Sequence, residues 1–399
     1  MSIIVPTYNR SQFLAECLDG LLFQTLPPWQ VIVVDDGCTD GTQDVLARYR
    51  DRVEVLRTPR QSGKATAVNL GLGRVTGDYV WIFDDDDVAL PDALERLVEP
   101  LEADRALGFS FCPRLYAHTR PDGRIGVPTY ESPMPDLAVS GQLPALMQHN
   151  FLGGAALFMR KSALDAVGPY DATLVRSQDF DMAIRMARRF RGAQAPGGGT
   201  FLYRQHEGPR GSAADRFEAG HQFAKWLEYD RVVVRRLRRD LRPGELLPPG
   251  RDPTASARLE QIACFGLMAG RLLHEEALRE LQRLAEDHDD APLDADERSA
   301  IRETSMRDPY YGVGSVYDDP AFTAAFARLA SRHKVLRAVR RQVLLGLRRF
   351  VTMNGVAEAR RRLPVALRRA RSLFQDALEM EVGESSLQAD AEGSSAGST

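Results

Sequence analysis

The tightest constraint on this chain is an alternation in its first hundred residues. Four apolar runs, SIIV (2–5), WQVIVVDDG (29–37), VEVLR (53–57) and YVWIF (79–83), are separated by segments of helical periodicity. In the first of these segments Phe13, Leu14, Cys17, Leu18, Leu21 and Leu22 recur at helical spacing, with Ser11 before them as the expected N-cap. DGTQDVLARYR, ATAVNLGLGRV and PDALERLVEPLEAD read as the next three helices, the last opened by Pro91. Strands that are apolar throughout must be covered on both faces. Alternation with helices supplies that cover, so the reading is an α/β layer with a mostly parallel sheet.

Ligands of such sheets bind outside the carboxyl ends of the strands. The first run ends in Pro6-Thr7-Tyr8-Asn9, the second in Asp35-Asp36-Gly37 and the fourth in Asp84, Asp85, Asp86 and Asp87. Four consecutive aspartates repel one another, and none has a basic neighbour in sequence. A solvated acidic turn is the plain explanation of that run alone. Two carboxylate clusters on one sheet edge point instead to a divalent cation, Mn²⁺ or Mg²⁺, held by one or two carboxylates together with substrate phosphates.

At 399 residues the chain is long enough for two or three domains of ~150 residues. A net charge of −3 gives no general reason to expect nucleic acid as a partner. Cys17, Cys38, Cys112 and Cys264 form no CxxC pair, which fits a reducing compartment. Met1 leads straight into the first strand, leaving no room for a signal peptide, and no run of roughly twenty apolar residues occurs. The expectation is a cytoplasmic protein.

Seven segments in order, PTYNR, VVDDGCTDGT, GKATAVNLGL, FDDDDVALPDAL, FLGGAALFMRKSALDAVGPYD, SQDFDMAIRMARR and YRQHEG, resemble the family 2 glycosyltransferases over about residues 1–210. The resemblance implies a GT-A fold, a Rossmann-like mostly parallel sheet with flanking helices, and sugar transfer from a nucleoside diphosphate, with UDP the expected nucleotide. It implies nucleotide contacts by Pro6, Thr7, Tyr8, Asp35, Asp36 and Lys64. For Asp35 and Asp36 loop ordering is the alternative, and for Lys64 simple pairing with these acids. By the same resemblance Asp86 is the metal ligand and Asp84 a ribose or second metal contact. Asp85 fills the variable place of the acidic pattern beside the substrate, and His206 is a further metal ligand or diphosphate contact. Asp179 would be the general base of an inverting displacement, with a helix-capping carboxylate as its alternative. Two departures are Cys38, where the family has a small hydroxyl residue, and Gln178, where it has a first acid. Asn69 reads as a structural tie to the acidic loop, outside the site.

A nucleotidyltransferase would also use aspartates and Mg²⁺, but would carry a Gly-rich basic loop near the first strand, which PTYNRSQ is not. A non-catalytic scaffold on the same fold would be expected to lack an acid from one of the strand-end clusters, and none is missing from 35–36 or 84–87.

The resemblance places a catalytic domain at 1–212, followed by a mainly α-helical domain at 213–378 and a disordered acidic, Ser-rich tail at 379–399. Residues 254–288 read as a helical hairpin turning near Gly270. Residues 331–371 hold thirteen Lys or Arg and one acid, Glu358. Val335, Leu336, Val339, Val343, Leu347 and Phe350 form an apolar stripe there. That pattern suits peripheral contact with anionic lipid on the cytosolic membrane face, or a helix docked on protein. Few aromatic residues accompany the charges, so nucleic acid is not expected. The acceptor would be a sugar, a lipid-linked molecule or a secondary metabolite.

Overall fold

The computed structural model describes residues 1–206, 222–288, 291–306, 315–352, 362–371 and 373. The tail at 379–399 lies outside them. The chain divides into two compact units, Met1–Val233 and Val234–Thr399.

The first unit begins with the expected alternation: β1 Ser2–Thr7, α1 Ser11–Leu22, β2 Gln30–Asp35, α2 Thr42–Ala47, β3 Glu54–Arg57, α3 Lys64–Leu72 and β4 Tyr79–Ile82. β4, β1, β2 and β3 lie side by side and parallel. Ile3, Val5, Val31, Val33 and Trp81 from these strands meet Leu14, Leu18 and Leu21 of α1 in the core. Ser11 does not cap α1; Arg10 occupies the N-cap without a side-chain bond. The Ser11 N–H donates instead to Asp40 Oδ2 at 3.0 Å, so the capping carboxylate comes from the loop after β2. Proline inside a central strand also has its reason here. β4 pairs with β1 from Ser2 only as far as Ile4, whose carbonyl accepts from Phe83 N–H. Pro6, two residues on, faces the side where that ladder has ended.

The chain continues through β5 Val88–Ala89, α4 Ala93–Ala103, β6 Leu107–Phe111, β7 Leu115–Thr119 and β8 Ile125–Glu131. After α5 Leu137–Ser140 and α6 Gln142–Gln148 come β9 Leu157–Arg160, α7 Lys161–Val167, α8 Gln178–Arg189, β10 Arg191–Gln194 and β11 Phe201–Gln205. α4 starts two residues after Pro91, with Asp92 as its N-cap. Seven strands form the main sheet in the order β10-β6-β9-β4-β1-β2-β3. Only β9 runs against its neighbours. β5, β11, β7 and β8 form a second sheet. β11 carries the chain to the acidic loop between β4 and β5.

The second unit is helical among the described residues. After α9 Gln222–Asp240 come α10 Ala257–Gly270, α11 His274–His288, α12 Ala295–Met306, α13 Pro320–Arg332 and α14 Lys334–Thr352. α10 and α11 pack as the expected hairpin. The left-handed residue of its turn is Leu272 (φ 53°), two residues past Gly270.

α14 packs on α11, α12 and α13. Val335, Leu336, Val339, Val343 and Leu347 are at most 2% exposed, so this part of the apolar stripe is covered by protein. The Phe350 side chain and residues 353–361 are outside the described set. Lys334, Arg337, Arg341 and Arg348 form the exposed face. Arg369, buried, is held in a two-pronged pair by Asp318 at 2.9 Å. Val339→Asp is expected to lower the stability of the helical unit by about 3–5 kcal/mol, the cost of an uncompensated buried charge. A urea titration measures it; an unchanged midpoint would show that the stripe is not packed as described. No helix among the described residues is long and apolar enough to cross a membrane.

Candidate active site

The polar clusters open on one edge of the main sheet. At the end of β1, Pro6 and Thr7 are buried and Tyr8 is half-buried. Asn9 takes a left-handed conformation (φ 51°) and is fixed by the loop after β2. Its N–H donates to Cys38 Sγ at 3.2 Å, and its Oδ1 accepts from Thr39 N–H at 2.7 Å. Cys38 Sγ donates in turn to the Thr7 carbonyl at 3.6 Å. The thiol therefore serves where a hydroxyl would, and burial pushes it up to about 12, so it remains protonated.

Asp35 and Asp36 order the loops that follow β2 and β3. Asp35, fully buried, accepts from Cys38 N–H at 2.7 Å and from Gln43, with Arg57 Nε at 3.5 Å. Asp36 accepts from Thr58 Oγ1 at 3.0 Å, Ser62 N–H at 2.8 Å, Ser62 Oγ at 2.5 Å and Gly63 N–H at 2.8 Å. Asp35 thus holds the Cys38 backbone with one oxygen and the Gln43 and Arg57 side chains with the other, while Asp36 fixes the turn that delivers Lys64.

The acidic loop is where the sheet edge becomes electrostatically unusual. Asp85, Asp86 and Asp87 are all buried. The basic partners missing from the neighbouring sequence arrive from elsewhere. Arg10 Nη1 reaches Asp86 Oδ2 at 2.6 Å and Asp85 Oδ1 at 3.1 Å. Lys64 Nζ pairs with Asp84. Arg204 is 1% exposed; its N–H donates to Asp87 Oδ1 at 2.9 Å, its Nε to the Asp86 carbonyl at 2.7 Å, and its Nη2 to Glu16. Its guanidinium also lies 4.7 Å over the Phe13 ring. His206 Nε2 is 3.1 Å from Asp86 Oδ2, with its ring centroid 5.2 Å from that of Phe13.

Three cations do not remove the strain of this packing. Burial lifts the Asp85 carboxyl to about 6 against the opposing pull of Arg10, and Asp86 adds to the rise. Burial and the Asp86 charge raise Asp87 well above the usual carboxylate range, and its Oδ2 has no hydrogen-bond partner. Burial by itself would lower the Lys64 ammonium, but Asp84 and then Asp179 outweigh it and the pKa is raised.

Asp179 comes from the first turn of α8. Its Oδ2 accepts from Gly154 N–H at 2.9 Å, and its Oδ1 from the adjoining Phe180 N–H at 2.9 Å. Asp181 is occupied with Arg185 Nε at 2.8 Å. The Gly153–Gly154 turn that meets Asp179 is braced from two further sides. Arg114 Nη2 donates to the Gly153 carbonyl at 2.7 Å, and the buried Trp81 indole N–H donates to the Ala155 carbonyl at 2.8 Å. Tyr170, buried, completes the wall; burial raises its phenol, with Lys64 opposing and Asp179 reinforcing.

Gly154 is the point at which the two acidic groups meet. Its φ is +62°, and a Cβ there would lie 3.2 Å from Asp84 Oδ2 while its N–H holds Asp179. A left-handed conformation costs an ordinary residue about 1–2 kcal/mol. Gly154→Ala is therefore expected to cut activity by about tenfold or more while the protein still folds cooperatively. Activity retained within about twofold, at an unchanged melting temperature, would show that the turn is not a constraint on the site.

The structure thus gathers Lys64, Asp84, Asp85, Asp86, His206 and, across Gly154, Asp179. It engages Asp35 and Asp36 with the loops and side chains that follow β2 and β3. Asn69 is a structural tie, but to the backbone of Tyr170, through bonds of 2.8 and 2.9 Å, and not to the acidic loop. Sequence reading passed over Arg10, Arg114, Tyr170, Gly154 and Arg204. The glycine pair in FLGGAAL and the arginines in PTYNR and YRQHEG lie inside the family-like motifs, but their pairing is long-range.

Among the described residues no group of three or more His, Cys, Asp or Glu is arranged to hold a metal ion. Asp86 and His206 do meet. That donor set fits a hard or borderline divalent cation that takes few protein ligands and completes its shell with phosphate oxygens and water.

A family model described as Glycosyl transferase family 2 matches residues 2–165. The putative teichuronic acid biosynthesis glycosyltransferase TuaG of Bacillus subtilis is 38% identical over 114 residues, covering 28% of this chain and 45% of that protein. Glycosyltransferase GlyG of Streptococcus pneumoniae is 34% identical over 114 residues, covering 27% of this chain and 38% of that protein. The chain thus spans less than half the length of these relatives. A solved mannosyltransferase from Pyrobaculum calidifontis, in complex with GDP-Man and Mn2+, aligns at 20% identity with a TM-score of 0.48, covering 89% of this chain and 87% of that one.

Proposed function

From the match of residues 2–165 to the family 2 glycosyltransferase model, we propose that the protein transfers a sugar from a nucleoside diphosphate, UDP in the first instance, to an acceptor hydroxyl with inversion. The acceptor class is a sugar, a lipid-linked molecule or a secondary metabolite, met in the cytoplasm. The catalytic domain is taken as 1–212. The observation that carries the reading is the meeting of Asp179 and Asp84 at one glycine, with Lys64 between them in charge. A basic group and the leaving-group side of a displacement need this kind of opposition.

In the proposed mechanism Asp179 is the general base. Two backbone N–H groups hold its carboxylate, and each oxygen keeps a lone pair for the acceptor hydroxyl. As the acceptor oxygen attacks the anomeric carbon, Asp179 takes its proton. Attack from the face opposite the leaving group inverts the anomeric configuration in one displacement. Asp86 and His206, with Asp84 nearby, would hold Mn²⁺ or Mg²⁺; when bound, the cation supplies positive charge to the departing diphosphate. Lys64 faces the same region, and Pro6, Thr7 and Tyr8 line the end of β1 where the nucleotide base would rest. Donor binding would draw on Asp35 and Asp36 through the loops they order.

The exposed basic face of α14 supports peripheral contact with anionic lipid by charge alone, since the apolar stripe is already buried. Flotation with anionic liposomes that vanishes at high salt is the expected result; absence of flotation at low salt would remove the membrane from the reading.

The primary test is release of nucleoside diphosphate across a panel of nucleotide sugars with Mn²⁺ or Mg²⁺. One or more donors should be hydrolysed slowly without acceptor. Sugar 1-phosphate in place of nucleoside diphosphate, or pyrophosphate from a nucleoside triphosphate added in a parallel assay, would indicate nucleotidyl transfer, and no turnover of any donor would count against catalysis.

A further inference from the structure

Arg10 sits on a rigid backbone. Left-handed Asn9 is tied to the Cys38–Thr39 loop, and the Arg10 carbonyl accepts from Phe13 and Leu14 N–H at the start of α1. Its side chain is one-quarter exposed and turns back into the acidic loop, bridging two adjacent carboxylates. One of these, Asp86, is the group that the proposed function turns toward a divalent cation. Its Oδ2 is 2.6 Å from the guanidinium nitrogen. A metal ion binds a carboxylate oxygen at about 2.0–2.1 Å, so both cations on that oxygen would lie less than about 5 Å apart. At that separation, in a buried setting, they exclude one another.

We infer that Arg10 is the resident cation of the site: it neutralises Asp86 without metal and yields that carboxylate when a divalent cation arrives together with a nucleoside diphosphate. The inference rests on the metal-binding reading of Asp86 and adds a direction to it. Metal alone must displace a guanidinium that then keeps only Asp85. Metal with a diphosphate brings phosphate oxygens that accept the released guanidinium in two-pronged fashion. Cation and diphosphate therefore bind cooperatively, each raising the affinity for the other by the same factor. A guanidinium that simply braced the loop in every state would give metal no competitor and would be missed most by the fold.

The test is Mn²⁺ binding, read from the electron paramagnetic resonance signal of free Mn²⁺. Wild type, Arg10→Gln and Arg10→Lys are each titrated alone, with UDP and with GDP, and circular dichroism reports folding. Arg10→Gln should bind Mn²⁺ alone about tenfold more tightly than wild type, and its coupling to the diphosphate should shrink correspondingly. Arg10→Lys keeps the charge but cannot bridge both carboxylates, so it should fall between the two. A folded Arg10→Gln that binds Mn²⁺ no more tightly than wild type overturns the inference while leaving the metal reading intact. Should Arg10→Gln not fold, an Arg10→Lys protein with wild-type or weaker Mn²⁺ affinity overturns it equally. Wild type that binds Mn²⁺ identically with and without both diphosphates also overturns it. No Mn²⁺ binding by any form under any condition removes the metal reading itself, and this inference with it.

Discussion

Asp179→Asn is expected to lose transfer by about 10²–10⁴-fold while donor affinity stays within a few-fold, because a missing base acts on the transition state. The geometry sets a specific control. Asp179 accepts from Gly154 N–H through one oxygen and from Phe180 N–H through the other. Asparagine retains only one acceptor oxygen, so its amide N–H₂ must face one of those donors or rotate away. A displaced Gly153–Gly154 turn would alter the donor side as well, since Asp84 lies against Gly154. Calorimetric titration with nucleoside diphosphate and Mn²⁺ reads binding, and a transfer assay reads chemistry. Equal loss of both would make Asp179 a loop anchor and helix cap with no role as base.

Asp86→Ala should remove cation-dependent activity almost completely. Losing a group that merely orients a metal ligand costs about 10–100-fold, so losing a ligand should cost more. Its effect on the fold is smaller, for a reason visible only in three dimensions. Arg10 loses its 2.6 Å partner but keeps Asp85 at 3.1 Å, so no buried cation is orphaned. Burial is the main reason that Asp85 and Asp87 are raised, and removing one of four crowded carboxylates relieves the repulsion that adds to it. The two effects oppose, and the melting temperature should move by about 4 °C or less. Full turnover by this variant, or by wild type with a chelator, would show that no cation acts at Asp86. A collapse of the melting transition would instead mark Asp86 as structural.

What could be read from the chain follows the range of each signal. Strand, helix and carboxyl-end clusters are local patterns. The period of apolar residues in SIIV, QVIVV and YVWIF marks β1, β2 and β4, and their ends mark the sheet edge. The strands after residue 104 were not foreseen. β9 and β10 are short, and β9 inserts antiparallel between β4 and β6, a pairing that no local pattern encodes. The Ser11 cap failed for a similar reason. A competing acceptor, Asp40, reached the same N–H from a separate loop.

By itself the sequence determined an α/β sheet edge carrying too many carboxylates to be left without positive charge, because like charges on consecutive residues repel whatever the fold. Only the tertiary structure decided which charges answer them. Arg10 and Arg204 lie 75 and 118 residues from the groups they meet in Asp85 and Asp86, so no spacing rule connects them. It also decided that Asp35 and Asp36 are engaged by loop N–H groups and nearby side chains, and that Asp179 and Asp84 share Gly154. The α14 stripe shows the same division. Its amphipathic period was legible, but whether lipid or protein covers it depends on α11, α12 and α13, whose packing is fixed by contacts between distant segments. Periodicity along a chain is a one-dimensional property, whereas charge compensation and burial are set by neighbours in space.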